Sequence, residues 1–92
     1  MKKPLPMEVA IMTASTYHPA VTKNCRGVGC PMNLVYAKVE LAKLGAGQIL
    51  EIILDDGPPI NNVPGSAEKE GHKILSRNQL DDGAWSVLIE KG

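Results

Sequence analysis

Between Gln48 and Leu54 the chain is almost unbrokenly aliphatic, and the run closes on Asp55-Asp56-Gly57. A short apolar run bounded by turn residues suits a buried strand. Such a strand needs neighbours to pair with, and three other segments can supply them. Ala20 to Cys25 is a short extended run with β-branched Val21 and Thr22. His72 to Asn78 and Ala84 to Glu90 also read as strands, with Asp81-Asp82-Gly83 as the turn between them. In the last of these, Trp85, Val87 and Ile89 alternate onto one face.

Two helical segments fall between the strands. Over Pro31 to Leu44, the apolar residues Leu34, Val35, Ala37, Leu41, Ala42 and Leu44 recur at steps of three and four. Gly45 and Gly47 supply the stop. Pro58 to Glu70 is harder to read: Pro59 can open a helix and Gly71 can end it. Pro64-Gly65 in the middle predicts a kink or a delayed start. The order β-α-β-α-β-β predicts an α/β (α+β) two-layer sandwich, a four-stranded mixed sheet with two helices on one face.

Ninety-two residues suit one domain, and the absence of Phe makes the core aliphatic. Residues 1–18 read as an N-terminal extension, ahead of a domain spanning 19–92. Met7 to Ala14 is apolar enough for an added strand or for self-association, which would allow a homodimer. Pro4, Pro6 and Glu8 interrupt what would otherwise faintly resemble a secretory signal. Ten basic residues balance ten acidic ones, so electrostatics give no case for a nucleic-acid partner. No apolar run approaches the roughly 20 residues that span a bilayer. A bridge between Cys25 and Cys30 would close only a tiny loop, which fits a reducing cytoplasm better than a disulfide scaffold. Those cysteines with His18 and His72 lack the paired spacing of a structural zinc site.

Chemistry concentrates at Gly27-Val28-Gly29-Cys30-Pro31-Met32-Asn33. Proline favours the first helical position. Pro31 in that place makes Cys30 the N-cap, with its sulfur among unpaired N–H groups at the positive end of a helix dipole. A thiolate, the reactive form of cysteine, is stabilised there. Gly27 and Gly29 let the backbone turn and keep bulk away from the sulfur. Asn33 retains an N–H that proline would lack, giving the Cys30 side chain a second donor. If the first two strands are parallel, Asp55 and Asp56 end the second at the edge where Cys30 begins its helix. Those carboxylates would oppose the thiolate that the helix and Arg26 favour.

At these residues the chain resembles the TusA/SirA family of small sulfur-carrier proteins. The resemblance runs from about Thr22 to Lys91. It rests on Arg26-Gly27-Val28-Gly29-Cys30-Pro31-Met32, on Asp55-Asp56, Val63-Pro64 and Gly71-His72, and on Trp85-Ser86-Val87-Leu88-Ile89. It departs from the family's Cys-Pro-x-Pro at Asn33, and places Cys25 where a small residue is common. The resemblance implies that Cys30 accepts sulfane sulfur as a persulfide and passes it to an acceptor thiol. It implies a cysteine desulfurase or rhodanese-like donor and a DsrE-like or maturation-factor acceptor. No metal or organic cofactor is needed, since thiol exchange cleaves a persulfide.

Other readings stay open at this point. Cys25 is either a buried packing residue or a second thiol that resolves the Cys30 persulfide. Arg26 either attracts a partner or is a solvated loop charge. Asp55 and Asp56 suit turn and capping roles better than catalysis. His72 suits a structural role better than a proton shuttle. Rival functions are a regulatory or binding module of the same fold, and a Cys25/Cys30 redox protein.

Overall fold

The structure, a computed structural model, describes residues 17–92. The expectations for residues 1–16, including the added strand at Met7 to Ala14, lie outside the described residues. The elements are β1 (Val21–Asn24), α1 (Met32–Ala42), β2 (Ile49–Leu54), α2 (Pro58–Lys69), β3 (Lys73–Gln79) and β4 (Trp85–Glu90). They form one four-stranded sheet in the order β1-β2-β4-β3. Strand β1 runs parallel to β2, while β4 is antiparallel to both β2 and β3.

Alternation along the strands sorts their side chains between the two faces. Leu50, Ile52 and Leu54 of β2, with Val87 and Ile89 of β4, are all fully buried. They pack in one cluster with Ala37 and Leu41 of α1 and Ile60, Val63 and Ala67 of α2. The cluster is aliphatic, so its cohesion comes from removing methyl and methylene groups from water. The opposite face carries a polar lacing: the Glu51 carboxylate accepts Thr22 Oγ1–H at 3.0 Å and Ser86 Oγ–H at 2.6 Å.

Two local expectations change. Helix α2 starts at Pro58 and runs unbroken through Pro64, so its start is not delayed. Proline there forfeits one helical hydrogen bond, but Pro64 and Val63 are both buried, and packing offsets the loss. The buried face of α1 is Asn33, Ala37 and Leu41, not a face shared with Val35 and Ala42, which are exposed. A helix that is apolar nearly all round does not disclose from its period which side faces in.

The C-terminal end of α1 is closed from a distance. Lys91, just past β4, donates its ammonium group to the Leu41 carbonyl at 2.7 Å and the Leu44 carbonyl at 3.1 Å. A cation there satisfies end-of-helix acceptors and complements the helix dipole. Lys91→Met keeps the length and removes the charge. It is expected to lower stability by about 2 kcal/mol, the usual scale for hydrogen bonds to a charged group. A urea titration with no midpoint shift would refute this.

Candidate functional site

The pairing register gathers several segments at one sheet edge. Asn24 pairs with Ile53, Leu54 with Trp85, and Gln79 with Trp85. The loop after β1, the Asp55-Asp56-Gly57 turn and the β3–β4 turn therefore share an edge. Cys30 lies in the first of these loops. Its thiol is free and exposed, whereas Cys25 is free and buried.

Side chains from the neighbouring turns fix the loop that carries Cys30. The Asp55 carboxylate accepts the Gly27 N–H at 2.8 Å. Gly27 has a φ of 76°, the left-handed region that glycine occupies without a Cβ penalty. Arg26 reaches across the edge, its Nε 2.9 Å from the Asp82 carboxylate. The Asn24 side-chain oxygen accepts the Arg26 N–H at 3.1 Å. Asp56 turns the other way and accepts the Trp85 indole N–H at 3.0 Å. The two carboxylates of the Asp-Asp step thus act as anchors, one for the Cys30 loop and one for β4. Asp82 completes the set, a role not anticipated from sequence; its position in a turn at the same edge is the signal that could have found it. Its carboxyl is held below the usual range first by the Ala84 N–H and further by Arg26.

The helix begins one residue later than expected. Pro31, at φ −95° and ψ 6°, is the capping residue of α1, and no side chain caps the helix. The Pro31 carbonyl accepts Leu34 N–H at 3.1 Å and Val35 N–H at 3.2 Å. Cys30 is therefore not the N-cap; it precedes that residue, because Pro31 sits outside the helical well. The expected donation from Asn33 to the Cys30 sulfur is also corrected. The Asn33 N–H goes to the Gly29 carbonyl at 3.1 Å.

Asn33 itself points inward and is 0% exposed, with both carboxamide polar atoms unpartnered. Leaving a buried amide unpaired costs about 1–3 kcal/mol. By contrast, Met32, Val35 and Val39 are 46%, 43% and 46% exposed. Spaced three and four apart, Val35 and Val39 continue the surface that Met32 starts. An apolar ridge therefore leads directly away from the exposed thiol. Lys38 beside it pairs with Glu70, the residue that caps the C-terminal end of α2, at 2.8 Å.

Cys25 belongs to the aliphatic cluster, and burial pushes its thiol up, with Lys23 opposing and Glu40 adding. The fold does not bring it to the surface beside Cys30. His72 lies at the far end of β3, where its Nδ1 accepts the Gly92 N–H at 3.1 Å. Among the described residues no three His, Cys, Asp or Glu side chains gather into a metal-holding group.

The model of the sulfurtransferase TusA family matches residues 21–91, the whole sheet and both helices. The chain belongs to the TusA family. A relative in Archaeoglobus fulgidus that bears a sulfur-carrier name is 39% identical over 66 residues, covering 72% of this chain and 75% of that one. The sulfur carrier protein TusA of Allochromatium vinosum is 26% identical over 65 residues, 71% and 84% of the two chains. A solved SirA-like protein from Desulfitobacterium hafniense superposes with a TM-score of 0.70 at 30% identity. The superposition covers 78% of this chain and 97% of that one. The β-α-β-α-β-β sandwich around Cys30 is thus a TusA-family fold, and sulfur carrier is the name these relatives bear. No described helix of this TusA-family chain is long and apolar enough to cross a membrane.

Proposed function

We propose that this protein carries sulfane sulfur as a persulfide on Cys30 and hands it to the thiol of an acceptor protein. The observation that supports this is an exposed free thiol on a loop tied down from two neighbouring turns. The Cys30 thiolate attacks the outer sulfur of a donor persulfide. A new S–S bond forms at Sγ, the donor's S–S bond breaks, and the donor leaves as a thiolate. In the second half an acceptor thiolate attacks the outer sulfur of Cys30-S-SH and Cys30 departs as thiolate. Neither half needs an external oxidant or reductant. Both can proceed at a surface, because the substrate is another protein's sulfur.

The test is intact mass after incubating the reduced protein with polysulfide. A gain of one sulfur atom, removed by a reducing thiol, is the expected result. An unchanged mass would favour a binding module without sulfur chemistry.

Donor and acceptor must both dock beside Cys30, and the Met32, Val35 and Val39 ridge suits that contact. A stable interface takes about 800 Å² from each partner, far more than three half-exposed side chains offer. Brief encounters fit such a patch. The double variant Val35→Gln/Val39→Gln is expected to slow sulfur transfer from a persulfidated cysteine desulfurase or rhodanese by about tenfold, near 1.4 kcal/mol. Loading of Cys30 by polysulfide should be unaltered. Equal slowing of both reactions would show that the helix had been damaged instead.

A further inference from the structure

Among the described residues, Asn33 is the exception in the set of large fully buried side chains, which are otherwise Leu, Ile, Val, Pro and Cys. Its carboxamide has no partner at either polar atom. Helical side chains lean toward the N-terminus of their helix, so this amide leans under the turn that carries Gly29 and Cys30. We infer that Gly29 to Val35 is a built-in hinge: the first turn of α1 unwinds locally, hydrating Asn33 and extending Cys30 away from the body of the protein.

The balance of contacts favours opening at this place. Unwinding breaks the backbone hydrogen bonds from Asn33 to Gly29 and from Leu34 and Val35 to Pro31, together with those that the Met32, Asn33 and Leu34 carbonyls accept from the next turn of α1. No side-chain cap and no acidic residue in the first turn resists it. Little apolar burial is lost, since Gly29, Cys30, Pro31, Met32 and Val35 are already exposed and only Leu34 is partly covered. Water then satisfies an amide that the core leaves unpaired.

The flanks remain fixed while the turn opens. Gly27 is held by Asp55 and Arg26 by Asp82 on one side. Ala37 and Leu41 hold the rest of α1 in the core on the other. Converting Met32 to Leu34 from helical to extended rise adds roughly 5 Å of chain. Resting on the sulfur-carrier reading, that reach serves to present Cys30 to a recessed cysteine in a partner.

The structure contains its own control. Asn61 in α2 donates its N–H to the Gly57 carbonyl four residues back at 3.1 Å, as Asn33 does to Gly29. Its side chain, however, is exposed. Amide hydrogen exchange by NMR on the full chain is expected to show Asn33, Leu34 and Val35 exchanging at least tenfold faster than Asn61. Asn33→Leu removes the unpaired amide at similar volume, and should slow those three amides to the Asn61 range while raising the urea midpoint. Wild-type amides at 33–35 as protected as Asn61 would overturn the hinge. Unchanged exchange in Asn33→Leu, or a variant less stable than the wild type, would overturn the role of Asn33. These readouts involve no sulfur, so they stand or fall apart from the carrier function.

Discussion

Cys30→Ser should gain no sulfur from polysulfide, whereas Cys25→Ala should load as the wild type does. A hydroxyl oxygen cannot form the S–S bond on which carriage depends, so the expected loss is complete. The contrast with Cys25 follows from position. Cys30 is exposed on its loop, while Cys25 is sealed in the aliphatic cluster with its thiol pushed toward the neutral form by burial. A neutral thiol is a poor nucleophile. Intact mass on both variants decides the matter. Loading that survives in Cys30→Ser, or that disappears in Cys25→Ala while its fold persists, would sink the assignment of the sulfur to Cys30.

Ile52→Ala should cost about 3–4 kcal/mol, toward the upper part of the range for large-to-small core substitutions. Ile52 is 0% exposed in β2, paired with Lys23 of β1 on one side and Val87 of β4 on the other. Its side chain faces the helices between Leu50 and Leu54. Its fully buried neighbours in the cluster are aliphatic side chains held on strands and helices, so the cavity closes only in part. Small domains hold roughly 0.05–0.15 kcal/mol of stability per residue, so this single change removes a large part of the total. Urea denaturation should show a lower midpoint with an unchanged slope. A loss below about 1 kcal/mol would mean that the core collapses around the site more readily than its strand pairing suggests.

The strands were legible because their signals are local. The aliphatic run ending at Leu54 and the alternation at Trp85, Val87 and Ile89 each reflect burial along one segment. Aspartates 55 and 56 could be placed near Cys30 because a parallel pair joined by one helix puts both strand ends at one edge. What each carboxylate grips was not legible. Asp55 reaches Gly27 and Asp56 reaches Trp85, contacts that depend on loop shape and not on sequence spacing. The Arg26–Asp82 pair is still more remote, since it needs β4 to lie beside β2. Helix α1 misled for a different reason. Apolar residues occupy nearly all of its circumference, so the buried Asn33 and the exposed Val35 and Val39 invert the polarity expected from periodicity. Polarity failed as a guide at the very helix that the proposed chemistry uses, where demands on the surface compete with demands of the core.

The strand order β1-β2-β4-β3 also makes completion of the sheet wait for the last strand in the sequence order of these elements. Among the described residues β3 pairs only with β4, and β2 only with β1 and β4. A nascent chain that has left the ribosome as far as Gln79 therefore holds a two-stranded parallel ribbon and an orphan strand. Such a remnant lacks the strand through which β3 joins the sheet. Insertion of Trp85–Glu90 between them completes the sheet in one late, long-range event, and Lys91 then reaches α1. The loop that carries Cys30 is thus held from both neighbouring turns only once the fourth strand is in place.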